Sequence, residues 1–154
     1  MTTTLSRTSA PQPRTVTTMW LGLGLTLLGM AYLAVDQLLG KGFADHLDDV
    51  YASHLPPGHD PGDTTLLGTA LYVYGALGVV GWLVTIHGAR RCRTWARPAA
   101  IVLLLAATSF AVLVATAREY GSTIFPPDLV VTTCLPPAVG LVATVLLLRR
   151  RDVG

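Results

Sequence analysis

Residues Pro98–Ala117 read PAAIVLLLAATSFAVLVATA, 20 residues without a charge. At 1.5 Å per residue such a helix is about 30 Å long, which matches the hydrocarbon thickness of a bilayer. A surface helix of a soluble protein keeps a polar face for water, and this stretch has none. It predicts a membrane-spanning helix. Working outward, three more segments meet the same test: Met19–Leu39 (MWLGLGLTLLGMAYLAVDQLL), Thr65–His87 (TLLGTALYVYGALGVVGWLVTIH) and Leu129–Leu148 (LVVTTCLPPAVGLVATVLLL). The expected fold class is an all-α membrane protein, with four transmembrane helices in an antiparallel bundle.

Composition agrees. The chain has 154 residues, 51% of them hydrophobic and 13% charged, about half the charge of an average soluble domain. No soluble stretch is long enough to build a separate core. The basic residues sit at the ends of apolar runs rather than along a folded face, so nucleic acid is not an expected partner. Cys92 lies in a basic connection and Cys134 inside the last apolar run. Thiols at such different depths are not expected to form a disulfide, which needs Cα atoms within about 7 Å.

Lys and Arg set the orientation. Arg7, Arg14, Arg90, Arg91, Arg93, Arg97, Arg149, Arg150 and Arg151 fall on one side, and only Lys41 and Arg118 on the other. The positive-inside rule then puts both termini in the cytoplasm. Residues 1–17, rich in Thr, Ser and Pro, read as a flexible cytoplasmic tail. Residues 18–148 form the transmembrane domain, with outer loops 40–64 and 118–128 and inner loop 88–97, and residues 149–154 form a basic cytoplasmic end. The first apolar run exceeds the h-region of a signal peptide and precedes no small-x-small cleavage site, so it reads as a retained helix. Trp20, Trp82 and Trp95 fall towards the inner interface. Asp63 and Asp128 stand where N-caps of the second and fourth spans would be, and Pro98 suits the first turn of the third.

Small residues mark where membrane helices approach closely. Candidates are Gly22 and Thr26, the series Gly68, Gly75, Gly78 and Gly81, the series Ala107, Ala111 and Ala115, and Gly140 with Thr144. Because every span is apolar all round, hydrophobic period does not assign a core face.

Few residues carry candidate chemistry. Asp36 lies about 24 Å along the helix from Trp20, near the outer edge of the hydrocarbon. A carboxylate there points inward, pairs or reaches headgroups, and Arg118 is the candidate partner for a proton- or cation-handling site. Pro136 and Pro137 remove two backbone donors in mid-span and predict a kink. Broken helices of that kind form transporter sites. The first outer loop, GKGFADHLDDVYASHLPPGHDPGD, spaces Phe43, Leu47, Val50, Tyr51 and Leu55 helically. It predicts a short amphipathic helix on the outer bilayer surface. His46, Asp49, His54 and His59 there are the candidate metal ligands, without a recognised ligand spacing. On the inner side, Arg90, Arg91, Arg93, Arg97, Arg149, Arg150 and Arg151 are expected to meet anionic lipid headgroups.

No catalytic or cofactor-binding motif is present. Small multidrug transporters also have four helices but carry a membrane-embedded glutamate in the first, where this chain has only the shallow Asp36. The CxxC pair of quinone-linked thiol reductases is missing, as are the motifs of intramembrane proteases. The Ala-, Leu-, Val-, Arg- and Gly-rich composition points to the cytoplasmic membrane of a GC-rich bacterium. The expected role is a non-enzymatic accessory or structural membrane subunit, paired with a membrane protein or with itself. The alternative is a small transporter or ion pathway using Asp36 and the fourth span, and a third reading is a metal-binding or sensing outer loop.

Overall fold

The computed structural model describes residues 13–40, 42–51, 64–91, 93–119 and 122–149. Four long helices carry the chain: α1 (Pro13–Val35), α3 (Thr64–Arg90), α4 (Ala96–Thr116) and α5 (Pro127–Leu148). A shorter α2 (Gly42–Tyr51) follows α1, and two short antiparallel strands, β1 (Arg118–Glu119) and β2 (Ser122–Thr123), precede α5. A π-helical turn, Asp36–Gly40, extends α1, so that its apolar span reaches Leu39. The four long helices are all long and apolar enough to cross a membrane, the signature of a multi-pass membrane protein. Their outward faces carry exposed Leu28, Leu77, Leu105 and Val131, side chains that hydrocarbon solvates at no cost.

Local chemistry sets the helix ends, and some differ from the sequence reading. α1 begins at Pro13 rather than Met19, so residues 13–17 are helix and not tail. Proline fits a first helical position, and the hydroxyls of Thr17 and Thr18 donate to the carbonyls of Pro13 and Arg14 at 2.9 Å. Those two hydroxyls are thus satisfied within the helix, whereas the buried Thr15 hydroxyl has no hydrogen-bond partner among the described residues. Residues 1–12 lie outside the described residues. At α5 the N-cap is Pro126 in extended backbone, with Pro127 as the first helical residue. Asp128, expected as the cap, is instead the second residue, where its charge still suits the helix N-terminus. Asp63 lies outside the described residues.

α1 packs against α3 and α5, and α4 packs against the same two helices. Glycines let α1 and α3 approach. Gln37 lies over Gly68, Met30 over Gly75, Thr26 beside Gly78 and the Trp82 ring over Gly22, so partners run in opposite order along the two helices. A Cβ at Gly75 would sit 2.7 Å from Met30, and at Gly22 it would overlap the Trp82 indole. Trp82 therefore lies between helices. Its Nε1 donates to Thr26 Oγ1 at 3.1 Å, and the Thr26 hydroxyl in turn donates to the Gly22 carbonyl at 2.9 Å. Of the alanine series on α4, Ala111 is buried, Ala107 half-buried and Ala115 exposed.

Two buried apolar clusters occupy opposite ends of these helices. One joins Met19 and Leu23 of α1 to Ile86, Ala100, Ala143 and Leu147, with Val79 and Trp82 against it. The other joins Leu33, Leu71, Val114, Phe125 and Leu129 to Phe43 and Leu47 of α2. The apolar face of α2 thus packs on protein, which corrects the expectation that it lies on lipid. Leu47 is 0% exposed, and the Phe43 and Phe125 rings stack with centroids 5.9 Å apart. Packing against fixed side chains gains dispersion contacts that fluid lipid chains match less well.

A cavity between the ends of α1, α2 and α5

The π-helical turn that closes α1 begins at Asp36, which is half-buried. Its Oδ2 accepts the backbone N–H of Phe43 at 3.0 Å. Phe43 is the second residue of α2, and the first N–H groups of a helix have no partner within it. Asp36 therefore acts as a cap supplied from the preceding span, which ties α1 to α2. The expected pairing of Asp36 with Arg118 is not formed. Arg118 is exposed and lies on β1 opposite Thr123.

His46, one turn further along α2, places Nε2 3.0 Å from the Thr123 carbonyl oxygen. A carbonyl only accepts, so Nε2 carries the proton of this bond. Across from it, the Tyr32 hydroxyl of α1 donates to Asp128 Oδ2 of α5. These groups border an open cavity of about 240 Å³, lined by Tyr32, Asp36, Phe43, His46, Pro126 and Asp128 with Leu33, Gly42 and Leu129. Its polar content is two carboxylates, a phenol and an imidazole, and no Lys or Arg is among these lining residues. Such a surface can receive hydrogen bonds and positive charge. The donors of Tyr32 and His46 are both already engaged.

Sequence reasoning found Asp36 and His46 but not what they hold. It missed the Tyr32–Asp128 bond, whose partners are 96 positions apart. Among the metal candidates, Asp49 is exposed on the same short helix as His46, whereas His54 and His59 lie outside the described residues. Among the described residues no three His, Cys, Asp or Glu side chains gather as a metal site would require.

Pro136 and Pro137 sit inside α5, which is helical from Pro127 to Leu148. The prolines leave the carbonyls of Thr132 and Thr133, one turn earlier, without their usual N–H donors. The hydroxyls of Thr132 and Thr133 donate a further turn back, to the carbonyls of Asp128 and Leu129 at 2.8 Å. Cys134 is exposed on the outside of α5. At the other end of the helices Arg90, Arg91, Arg93 and Arg149 are exposed and Arg97 is half-buried. Arg150 and Arg151 lie outside the described residues.

The chain matches no protein-family model, and neither the curated proteins nor the solved structures contain a significant match.

Proposed function

We propose that this protein is a non-enzymatic accessory or structural subunit of the bacterial cytoplasmic membrane, working beside a membrane protein or as a homo-oligomer. Its four spans form an antiparallel bundle, with both termini and the 88–97 connection in the cytoplasm. The opposite order of residue partners along α1 and α3 supports the antiparallel reading. The split of nine basic residues against two supports the orientation. Anionic headgroups meet the arginine-rich end at Arg90, Arg91, Arg93, Arg97, Arg149, Arg150 and Arg151.

One observation carries the subunit reading: three side-chain hydrogen bonds join one span to another. Trp82 and Thr26 join α3 to α1, Tyr74 donates to the Ala107 carbonyl of α4 at 3.1 Å, and Tyr32 joins α1 to α5. Groups that line a transport path must instead exchange partners with the cargo. Purification from the native membrane in mild detergent, followed by mass spectrometry, tests this. A stoichiometric membrane partner or a homo-oligomer is expected, and a partner-free monomer contradicts it.

A second reading, a cation or proton pathway through Asp36 with α5 bent at Pro136 and Pro137, draws support from the acceptor-rich cavity at Asp36. Proton-coupled flux in proteoliposomes, abolished by Asp36→Asn, would favour it over the subunit reading.

A further inference from the structure

We propose that the α3–α4 turn holds one anionic phospholipid by its phosphate, as a retained ligand rather than through diffuse attraction. The inference rests on the reading that this end of the protein meets anionic headgroups, and it names the place and the lipid. It starts from where the structure gathers and fixes the arginines.

One buried cluster, Met19 and Leu23 with Ile86, Ala100, Ala143 and Leu147, brings the start of α1, the end of α3, the start of α4 and the end of α5 together. An arginine stands at each of these helix ends: Arg14, Arg90, Arg97 and Arg149. The described acids, Asp36, Asp45, Asp48, Asp49, Glu119 and Asp128, belong to elements at the opposite end. Of the nine acids in the sequence only Asp152 follows a helix end that lies here, and it comes after Arg149, Arg150 and Arg151. Positive charge at this end is therefore uncompensated, and what it attracts is an anion.

The α3–α4 turn adds Arg91 and Arg93 on a backbone that is tied down. The Arg91 N–H donates to the His87 carbonyl at 3.1 Å, the Arg93 N–H to the Gly88 carbonyl at 3.0 Å, and the Ala96 N–H to the Arg93 carbonyl at 3.1 Å. The Trp95 ring packs over buried Gly88, where a Cβ would lie 2.8 Å from it. Arg90, Arg91 and Arg93 are all exposed. A guanidinium is a planar fork that takes two phosphate oxygens at once. With the backbone already ordered, less of that interaction is spent on ordering it.

The surroundings favour a phosphate that carries acyl chains over a free one. Trp95 is 41% exposed, and an amphipathic indole suits the border between headgroups and hydrocarbon. Leu83 and Val84 are exposed on α3, seven residues before Arg90 and Arg91 and so two turns along the same helix faces. Charge at the helix end with apolar surface beneath it matches the layout of a phospholipid.

The test is native mass spectrometry of the full chain in mild detergent, titrated with dioleoylphosphatidylglycerol or dioleoylphosphatidylcholine. One saturable phosphatidylglycerol adduct is expected, with phosphatidylcholine weaker by at least about tenfold. Arg90→Gln, Arg91→Gln and Arg93→Gln together should weaken phosphatidylglycerol on the order of a hundredfold, at about fivefold for each arginine. The same change at Arg149, Arg150 and Arg151 removes equal charge and should weaken it by less than about fivefold. Arg91→Gln and Arg93→Gln alone, at exposed positions that tolerate substitution, should each cost about fivefold. They replace the triple variant if circular dichroism shows that it does not fold.

Equal losses from the two triple variants would overturn the proposal in favour of diffuse attraction. So would equal affinity for phosphatidylcholine, no saturable adduct, full affinity in both single variants, or displacement of the lipid by excess inorganic phosphate. A partner-free monomer that keeps phosphatidylglycerol contradicts only the subunit reading. An oligomer or complex that binds none contradicts only this one.

Discussion

Replacing Gly22 by alanine adds a methyl where the six-membered ring of Trp82 now lies. The indole must move away, and its Nε1 then leaves Thr26 Oγ1, now 3.1 Å distant. Overpacking of this kind costs about 1–3 kcal/mol, and an interhelical hydrogen bond in a membrane contributes about 0.6–2 kcal/mol. Alanine regains up to about 1 kcal/mol of helix propensity, which leaves a net loss on the order of 1–3 kcal/mol. Gly24 supplies the control from the same helix, because a Cβ there meets nothing within 4 Å. Gly24→Ala should be neutral or stabilising by up to about 1 kcal/mol.

Equilibrium unfolding by SDS in mixed micelles, followed by circular dichroism, measures both variants. In a Trp82→Ala background the penalty of Gly22→Ala should disappear, because the clashing ring is gone. Equal stability of the two glycine variants would refute the reasoning. A Gly22→Ala penalty that persists without the indole would do the same, since contacting residues should couple.

Three further outcomes follow from the packing. Leu47→Ala empties a site that is 0% exposed and should weaken the docking of α2 by about 2–5 kcal/mol. Hydrogen exchange is expected to quicken in α2 while α3 stays protected, and unchanged exchange in α2 would contradict its place in the core. Cys134→Ala, on the exposed side of α5, should change SDS stability by less than about 0.5 kcal/mol. Ala143→Leu on the same helix, at a site 2% exposed, should cost about 1–3 kcal/mol.

The existence of the four spans was legible because 20-residue apolar runs have one common physical use. Their contacts were not legible. Lipid-facing Leu77 and Leu105 are as apolar as buried Leu23 and Leu33, so no periodicity separates core from surface. Trp82 read only as lying towards the inner side, and nothing local announced that its ring would cover the bare Gly22 surface 60 positions earlier. α2 was visible from its spacing, yet its environment was not, since an apolar helical face suits lipid and protein equally. At the cavity, Asp36 stood out as an acid in an apolar run. Its role as a cap for α2 depends on the π-helical turn that follows it, which has no sequence signature. Tyr32 and Asp128 carried no pairing signal at all, because only the meeting of α1 with α5 brings them together.

The central claim is four crossings with both ends inside, and cysteine accessibility in intact cells tests it most directly. With Cys92 and Cys134 replaced by serine, single cysteines would be introduced at Asp45, Thr94 and Ser122, all exposed positions. A membrane-impermeant maleimide should label Asp45→Cys and Ser122→Cys from outside and should reach Thr94→Cys only after the membrane is permeabilised. Labelling of Thr94→Cys in intact cells, with the other two protected, would contradict the orientation. Labelling of all three would contradict the four crossings themselves.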